Sequence, residues 1–449
     1  MEGVIRVRLK PFFTIIVIFI TVTSMTMCMG KQEGETIRTG IDILSIDNGN
    51  VTDDDGDGDD GIDGGPAGTV KLVFWHTFQY AKEVELIKKT VKDFERENPN
   101  IKVDVQQQTY SDAINKFRTA SIGGIAPDVM RVPNDRLGEL AVLGLIAPLD
   151  QYISVTTLDS FVPMAMNAMK YKGSRYALPA SYDSIALVYN KAMLSQKGYE
   201  EPPADLDELV TMAKALTYGD KHGFVMPITD AYWWFMFQHG FGGTIFSEDG
   251  SPTIYSPASV DATNYIFDLE EKHGVMPKGG AEKNLMMSLF TEQKAAMIAT
   301  GPWNIEDIKA ADIDHGIATF PKNPANDRYC APLVGVKGYV ISKDSPHKLE
   351  AYRLIQYLTS HKVTKGFALV SDTLPSVKSV YGEEKIMQND VIQGFLAQAE
   401  LGQQAPSRPE MSEIWGPLTD ALQLIYSGDK TADKALADAQ KEIESKIEG

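Results

Sequence analysis

The side chains best suited to chemistry in this chain are tryptophans that stand beside turn-forming or small polar residues. Four of the five tryptophans do so: Trp233, Trp234, Trp303 and Trp415. Trp303 follows a Gly-Pro turn at the end of an apolar run, which would present its indole at the tip of a strand. A flat indole suits the apolar C–H face of a sugar ring, and charged side chains suit its hydroxyl rim. The set predicts a ligand cleft, with core packing as the alternative for each single tryptophan.

Three aspartates, Asp135, Asp183 and Asp230, are the carboxylates that such a cleft would use. Two carboxylates among aromatic rings are also the equipment of a glycosidase, which needs one carboxyl kept protonated by an apolar pocket. The sequence places none of the three in such a pocket. It contains no Gly-x-Ser-x-Gly elbow, no His-Glu-x-x-His motif and no phosphate loop, and its seven histidines form no pair at helical metal-ligand spacing. We therefore expect a binding protein with no catalytic residue, metal or cofactor, and keep a glycosidase as the weaker alternative.

The N-terminal region predicts export followed by a tether. A basic start, a short apolar run and small residues up to Cys28 are typical of a signal peptide over residues 1–28. Cys28 resembles the lipidated cysteine of bacterial lipoproteins, with an ordinary signal peptide or an uncleaved anchor as the alternative. Residues 29–68 have few large apolar side chains and many aspartates, which predicts a disordered acidic tether. The expected location is the periplasm or the outer face of the cytoplasmic membrane.

The charge of the chain narrows its partners. The formal net charge is −18, which argues against nucleic acid and anionic membrane surfaces as partners of the folded part. Asp53, Asp55 and Asp57 match the first half of a calcium-binding EF-hand loop, but Gly64 stands where the bidentate glutamate is needed, so calcium is not expected there. Lipidation of Cys28 would leave Cys330 as the only thiol of the folded part, so no disulfide is expected within one chain.

The elements that must position these residues are legible over residues 69–449, a length of about 380 residues that suits two lobes. An apolar strand at 71–75, an amphipathic helix at 82–97 and an alternating strand at 101–105 form a βαβ opening. This opening predicts a parallel sheet covered by helices, with ligands at the carboxyl ends of its strands. Further helices are predicted at 349–358 and at the C-terminus.

Short stretches in this order and spacing carry a family resemblance. They are the strand at 71–75, Ala-Pro-Asp-Val at 126–129 leading to Asn-Asp-Arg at 134–136, Leu-Val-Tyr-Asn-Lys at 187–191, Ala-Met at 296–297 with Gly-Pro-Trp at 301–303, and the stretch 409–415. Over 69–449 the chain resembles the extracellular solute-binding proteins of bacterial ABC importers, most closely their maltose/maltodextrin-binding branch.

The resemblance implies an α/β fold of the two-lobe, type II periplasmic-binding-protein class, with doubly wound sheets joined by a hinge. Lobe one is expected at 69–182 and 335–390, and lobe two at 183–334 and 391–449. The implied function is that of a monomeric importer receptor. It is expected to hold an oligosaccharide between its lobes and to deliver it to permease subunits with a separate ATPase.

The same resemblance assigns roles to single residues. Asp135 and Arg136 look like a pair that binds sugar hydroxyls from lobe one, although they could simply form a surface ion pair. Asp183 stands at the hinge edge. The residues implied in lobe two are Asp230, Tyr232 and Trp233, with Trp303 and Trp415 as stacking rings.

Three departures from the family pattern leave the sugar open. Val132 replaces a tryptophan of the maltose-binding branch, the residues 76–80 replace its lysine-bearing loop after the first strand, and Lys283 stands where an aromatic contact is expected. The implied ligand is maltose- or maltodextrin-like, and another disaccharide, a phosphodiester or a polyamine remains the alternative.

Overall fold

Two β-sheets of different size organise the protein. The structure is a computed structural model that describes residues 68–279 and 282–448. The predicted signal peptide, Cys28, the aspartate run and nearly all of the predicted tether lie outside the described residues.

The described strands are short except where they form the two sheets. In chain order they are β1 Val70–His76, β2 Ile101–Gln107, β3 Val129–Pro133, β4 Lys170–Tyr171, β5 Ser174–Arg175, β6 Ala177–Asp183, β7 Ala186–Asn190, β8 His222–Val225, β9 Ala295–Thr300, β10 His315–Ala318, β11 Lys322–Asn323, β12 Arg328–Tyr329, β13 Leu333–Ile341, β14 Leu374–Pro375 and β15 Gln403–Gln404.

The helices pack on both sheets. They are α1 Ala81–Glu97, α2 Ala113–Ile122, α3 Leu137–Val142, α4 Val155–Ser160, α5 Pro163–Asn167, α6 Lys191–Ser195, α7 Leu206–Leu216, α8 Ala231–Gly240, α9 Pro257–Glu271, α10 Lys283–Thr291, α11 Ile305–Ala310, α12 Lys348–Leu358, α13 His361–Ser371, α14 Glu384–Met387, α15 Asp390–Leu401, α16 Met411–Tyr426 and α17 Ala432–Glu448. Three 3-10 turns, Asn134–Arg136, Pro302–Asn304 and Lys378–Gly382, complete the elements.

The larger sheet has the strand order β14-β6-β13-β3-β1-β2, and β15 pairs with β13. β1 runs parallel to β2 and β3, so the predicted βαβ opening is confirmed. The expectation of a wholly parallel sheet is wrong, because β13 runs antiparallel to both β3 and β6. The chain reaches β13 from the elements of the smaller sheet. β13 therefore lies between β3 and β6 and runs in the direction opposite to both.

The smaller sheet has the order β10-β7-β9-β8. All six residues of β9 are buried, which explains why its sequence is a continuous small and apolar run without alternation. The chain passes from the larger to the smaller sheet between Asp183 and Ala186 and returns just before Leu333. The strands β6 and β13 that carry these crossings are hydrogen-bonded neighbours.

The predicted helices follow from their apolar spacing. In α1 one face is buried at Ile87, Val91 and Phe94, at the three- and four-residue intervals of an amphipathic helix. In α17 the buried face includes Leu436 and Ile443, as expected from the sequence. Within 68–279 and 282–448 no helix has the length and apolar character needed to cross a bilayer.

Candidate binding site

Three half-buried aromatic rings from separate elements form one surface, which we call the aromatic wall: Tyr232, Trp303 and Trp415. Tyr232 lies in α8 between the other two, with its ring centroid 6.3 Å from that of Trp303 and 6.5 Å from that of Trp415. Its hydroxyl donates a hydrogen bond to the Leu333 carbonyl at 3.0 Å, so the ring is held at the point where the chain enters β13. The wall offers adjacent indole and phenol faces of the kind that stack on sugar rings.

Trp303 follows β9 directly, in the 3-10 turn Pro302–Asn304, as the Gly-Pro pattern predicted. Its indole folds back over Gly301, where an added Cβ would lie 2.2 Å from the ring. Only glycine leaves room for that placement. The Asn304 side-chain amide donates to the Thr300 hydroxyl at 2.8 Å and ties the turn to the end of the strand. The backbone of this turn therefore determines where the indole lies.

The other two tryptophans of the predicted cleft lie inside the protein. Trp234 is fully buried and donates its indole N–H to the Thr263 hydroxyl at 2.7 Å, so its place among the cleft tryptophans is wrong. Trp233 is 2% exposed and donates to the Ala299 carbonyl at 2.6 Å. It supports Tyr232 and Trp303 edge to face from beneath, and direct ligand contact by Trp233 stays a prediction. The polar residues before them cap helix α8, and a helix cap says nothing about which later side chains are exposed.

Asp183 is a buried carboxylate with a partly buried cation beside it. The Lys337 ammonium lies 2.6 Å from each of its two oxygens, across the paired strands β6 and β13. A Cβ on Gly335 would lie 3.5 Å from Asp183 Oδ1 and 4.0 Å from the Tyr232 hydroxyl. Asp183 is therefore close to the aromatic wall, at the crossing between the two sheets, and the hinge-edge role that the resemblance implies for it stays a prediction.

Asp230 has a structural and an electrostatic partner. It caps helix α8 by accepting the Tyr232 backbone N–H at 2.9 Å. Its second oxygen pairs with Lys283 at 2.8 Å, and the same ammonium lies 4.9 Å from the centre of the Trp233 ring. Lys283 thus covers part of the position where the resemblance leads one to expect an aromatic contact. Val132, which replaces a tryptophan of the maltose-binding branch, is completely buried in β3 and lines no open surface.

Asp135 and Arg136 lie in the 3-10 turn after β3, close to the start of α16. The Arg136 Nε is 3.6 Å from the Asp135 carboxylate, and its Nη1 is 3.8 Å from Glu139. Burial raises the pKa of Asp135, and the nearby charges of Arg136 and Lys337 offset part of that rise. The Trp415 indole N–H faces the same carboxylate and also favours its charged form, although it has no hydrogen-bond partner at normal distance. The indole N–H is itself buried, so it lies beneath the aromatic wall beside Asp135.

Tyr110 is an aromatic residue near two of the candidate carboxylates that the sequence reasoning missed. It lies in the loop between β2 and α2 and keeps 46% of its surface exposed. The pKa of its phenol is raised because the hydroxyl is withdrawn from water and because Asp135 and Asp183 are near. The same two carboxylates raise the pKa of Tyr232, after burial and in company with Tyr110. An aromatic residue in the polar loop after a parallel strand was the available signal, since such loops meet at one sheet edge.

The arrangement of side chains around the aromatic wall is suited to hydrogen bonding with hydroxyl groups. Aromatic faces lie beside carboxylates, ammonium groups and phenols that accept from and donate to hydroxyl groups. Among the residues that the structure describes, no cluster of three His, Cys, Asp or Glu side chains is placed to hold a metal ion.

Comparison with known proteins agrees with this geometry. Residues 89–393 match the family described as bacterial extracellular solute-binding protein. A maltotriose-binding protein of Pyrococcus abyssi is 29% identical over 392 residues, which are 85% of this chain and 83% of that protein. A galactooligosaccharide-binding protein of Bacillus subtilis is 30% identical over 389 residues, which are 84% of this chain and 89% of that protein.

Solved structures extend the similarity to the fold. The maltose/maltodextrin-binding domain of Bdellovibrio bacteriovorus bound to maltotriose superposes with a TM-score of 0.77 at 27% identity, covering 85% of this chain and 100% of that one. A Thermus thermophilus maltotriose-binding protein gives a TM-score of 0.75 at 30% identity, covering 84% and 100%. The predicted two-lobe periplasmic-binding-protein fold is confirmed. On the extent of the family match and these identities, the chain belongs to the bacterial extracellular solute-binding proteins.

Proposed function

We propose that this protein is the receptor of an ABC importer that captures a neutral oligosaccharide between its two lobes and delivers it to membrane permease subunits served by a separate ATPase. The observation that carries the proposal is the aromatic wall of Tyr232, Trp303 and Trp415, bordered by the carboxylates Asp135 and Asp183. Relatives named for binding maltotriose, galactooligosaccharides and maltodextrin support an oligosaccharide of similar size.

The charges of the site favour a neutral ligand. Asp183 is paired with Lys337, Asp230 with Lys283, and Asp135 lies against Arg136. A polyamine would have to displace these resident cations before it could use the carboxylates. A phosphodiester would meet the carboxylates themselves. Hydroxyl groups can use both members of each pair without separating them, which is how a sugar would bind.

A receptor of this kind works by closure around its ligand. A shift from 1:99 to 99:1 in favour of the closed form needs about 5.5 kcal/mol of differential affinity. Two stacking indoles and several charge-assisted hydrogen bonds are of a size to supply that difference. The expected dissociation constant is in the micromolar range, equivalent to about −8 kcal/mol. Hinge closure around ligands is the general motion of periplasmic binding proteins.

Binding without catalysis is part of the proposal. Asp135, whose pKa burial raises, is the carboxyl group that a glycosidase would use as its acid. Asp183, held by Lys337, is the nearest candidate for a second catalytic carboxylate. Incubation with an end-labelled oligosaccharide tests this alternative. We expect the labelled ligand back intact, and release of shorter labelled products would establish the glycosidase instead.

Export, lipidation of Cys28 and a monomeric state complete the proposal. Two pneumococcal relatives, 25% identical, are named as maltooligosaccharide transporter lipoproteins. Mass spectrometry of the mature N-terminus should find a lipid-modified Cys28, and an unmodified or differently cleaved terminus would contradict it. Light scattering should give the mass of one chain.

The function itself is tested by titrating tryptophan fluorescence with maltose, maltotriose, trehalose, cellobiose, sucrose and spermidine. We expect a saturable change at micromolar concentration of one oligosaccharide and none with spermidine. Trp75 lies in β1 and donates its indole N–H to the Gln106 side chain, so we expect Trp75→Phe to retain the titration and lower the background. A response to spermidine alone, or to no ligand, would refute the proposal.

A further inference from the structure

We call the elements of the larger sheet and the helices packed on it the larger-sheet half of the protein, and the remainder the smaller-sheet half. One hydrogen bond joins the larger-sheet half directly to the backbone of a residue in the aromatic wall. Tyr80 stands between β1 and α1, where it is the N-terminal cap residue of α1. Its phenol donates a short hydrogen bond to the backbone carbonyl of Trp303, which follows β9 of the smaller sheet. The two residues are 223 positions apart in the chain. This contact exists only when the loop after β1 and the turn after β9 lie together.

The carbonyl that Tyr80 holds belongs to the turn that places the Trp303 indole. The ring is already confined by its fold over Gly301, and its centroid lies 6.3 Å from Tyr232 and 6.5 Å from Trp233. A shift of the Trp303 peptide would therefore turn the indole relative to the other rings. Tyr80 can act on a ligand that stacks on this indole without touching the ligand itself.

The hydroxyl of Tyr80 is suited to remain a donor. Burial, together with the neighbouring charges of Asp307, Glu83 and Glu306, raises its pKa to about 12. The phenol is therefore protonated throughout the neutral pH range. The neighbouring ion pair, which Lys82 and Glu306 form at 2.6 Å, does not involve the Tyr80 hydroxyl.

Two ion pairs span the same junction. Lys82 pairs with Glu306, but 65% of the lysine side chain is exposed, so this pair contributes little. Lys309 of α11 pairs at 2.7 Å with Asp372, which is 5% exposed and follows α13. These contacts hold α11 against the larger-sheet half. Of these three contacts, the hydrogen bond of Tyr80 is the one that reaches the backbone of an aromatic-wall residue, the Trp303 carbonyl.

We propose that Tyr80 is a positioning residue of the binding site, which fixes Trp303 from the opposite lobe and so slows the escape of the bound ligand. The inference rests on the proposed oligosaccharide function. Since the hydrogen bond forms only when the lobes meet, its loss should act on dissociation and leave the association of ligand with the open protein unchanged.

The test is Tyr80→Phe, compared by stopped-flow tryptophan fluorescence with the oligosaccharide that the wild-type protein binds most tightly. Loss of a donor to a half-buried carbonyl predicts dissociation about tenfold faster, with an unchanged association rate and an unchanged thermal midpoint of the ligand-free protein. The emission of the bound state should also shift in Tyr80→Phe, and that shift should vanish when Trp303 is already replaced by Phe.

The matched control is Tyr265→Phe. The Tyr265 hydroxyl also donates to a backbone carbonyl, that of Leu206 at 3.1 Å, but both residues belong to the smaller-sheet half. Tyr265→Phe should lower the thermal midpoint of the ligand-free protein and leave the association and dissociation rate constants of the oligosaccharide unchanged. The inference would be overturned if Tyr80→Phe released the oligosaccharide at the wild-type rate, or if the two substitutions changed the rate constants equally. Either result would leave the proposed receptor function intact. A wild-type protein that binds none of the sugars would overturn both.

Discussion

Replacing Lys337 by methionine should expose how much the protein depends on the ion pair at its crossing strands. The Lys337 side chain is 13% exposed and that of Asp183 6%, and the ammonium lies 2.6 Å from both carboxylate oxygens. Methionine keeps the length and the apolar stem of lysine but removes the charge. Asp183 would remain in a nearly dry environment without its cation.

The magnitude follows from this burial. Two unit charges 4 Å apart attract by about 4 kcal/mol at the effective dielectric constant of about 20 that suits most protein sites. Removing one member of a buried pair typically destabilises by about 3 to 5 kcal/mol, because the other charge is left without compensation. We therefore expect Lys337→Met to lower the free energy of unfolding by about 3 kcal/mol or more at pH 7.5. Asp183→Asn in the same background should recover part of that loss.

The assay is urea unfolding of the wild type, both single variants and the double variant, followed by fluorescence and by circular dichroism. The two probes must coincide for a single free energy to be meaningful in a two-lobe protein.

A surface-like pair would behave differently. If Lys337→Met costs less than about 1 kcal/mol, the range typical of exposed pairs, the burial argument is refuted. Additive effects of the two substitutions would refute it equally, since a buried pair must show a coupling energy.

Three further predictions follow from single residues. Trp415→Ala should weaken oligosaccharide binding at least tenfold with a modest fall in the thermal midpoint. Replacing the buried Trp234 by alanine should instead lower the free energy of unfolding by about 3 to 5 kcal/mol. Equal effects of the two substitutions on affinity, measured by titration, would contradict this assignment. Burial lowers the pKa of His76 from 6.5 to about 4, so the unfolded state takes up the proton first and up to about 3 kcal/mol of stability is lost as the pH falls through that interval. His76→Gln should flatten this part of the pH profile in urea unfolding, and an unchanged slope would contradict it. Because burial raises the pKa of Asp135, its carboxylate is lost at a higher pH than that of an ordinary aspartate, and binding should weaken accordingly on acidification; Asp135→Asn should bind more weakly but with a flatter profile, and a parallel profile would contradict it.

Much of the local structure was open to prediction from the sequence. The strand of β1 and the buried face of α1 follow from apolar spacing between near neighbours, and the turn that places Trp303 follows from Gly301 and Pro302. The ordered series of short family motifs was sufficient to predict the two-lobe fold. In each case the information lies within a few residues of the feature, or in the order of such features along the chain.

The tertiary structure alone decided which side chains meet. Asp230 caps α8 in the structure, but it is the packing against β9 and α9 that turns Trp233 and Trp234 inward while Tyr232 belongs to the aromatic wall. Asp183 and Lys337 are 154 residues apart, and the antiparallel course of β13 beside β6 brings them together. Such pairs depend on strand register and on the docking of one sheet against another. Because these arrangements join residues far apart in the chain, no local pattern of residue types records them.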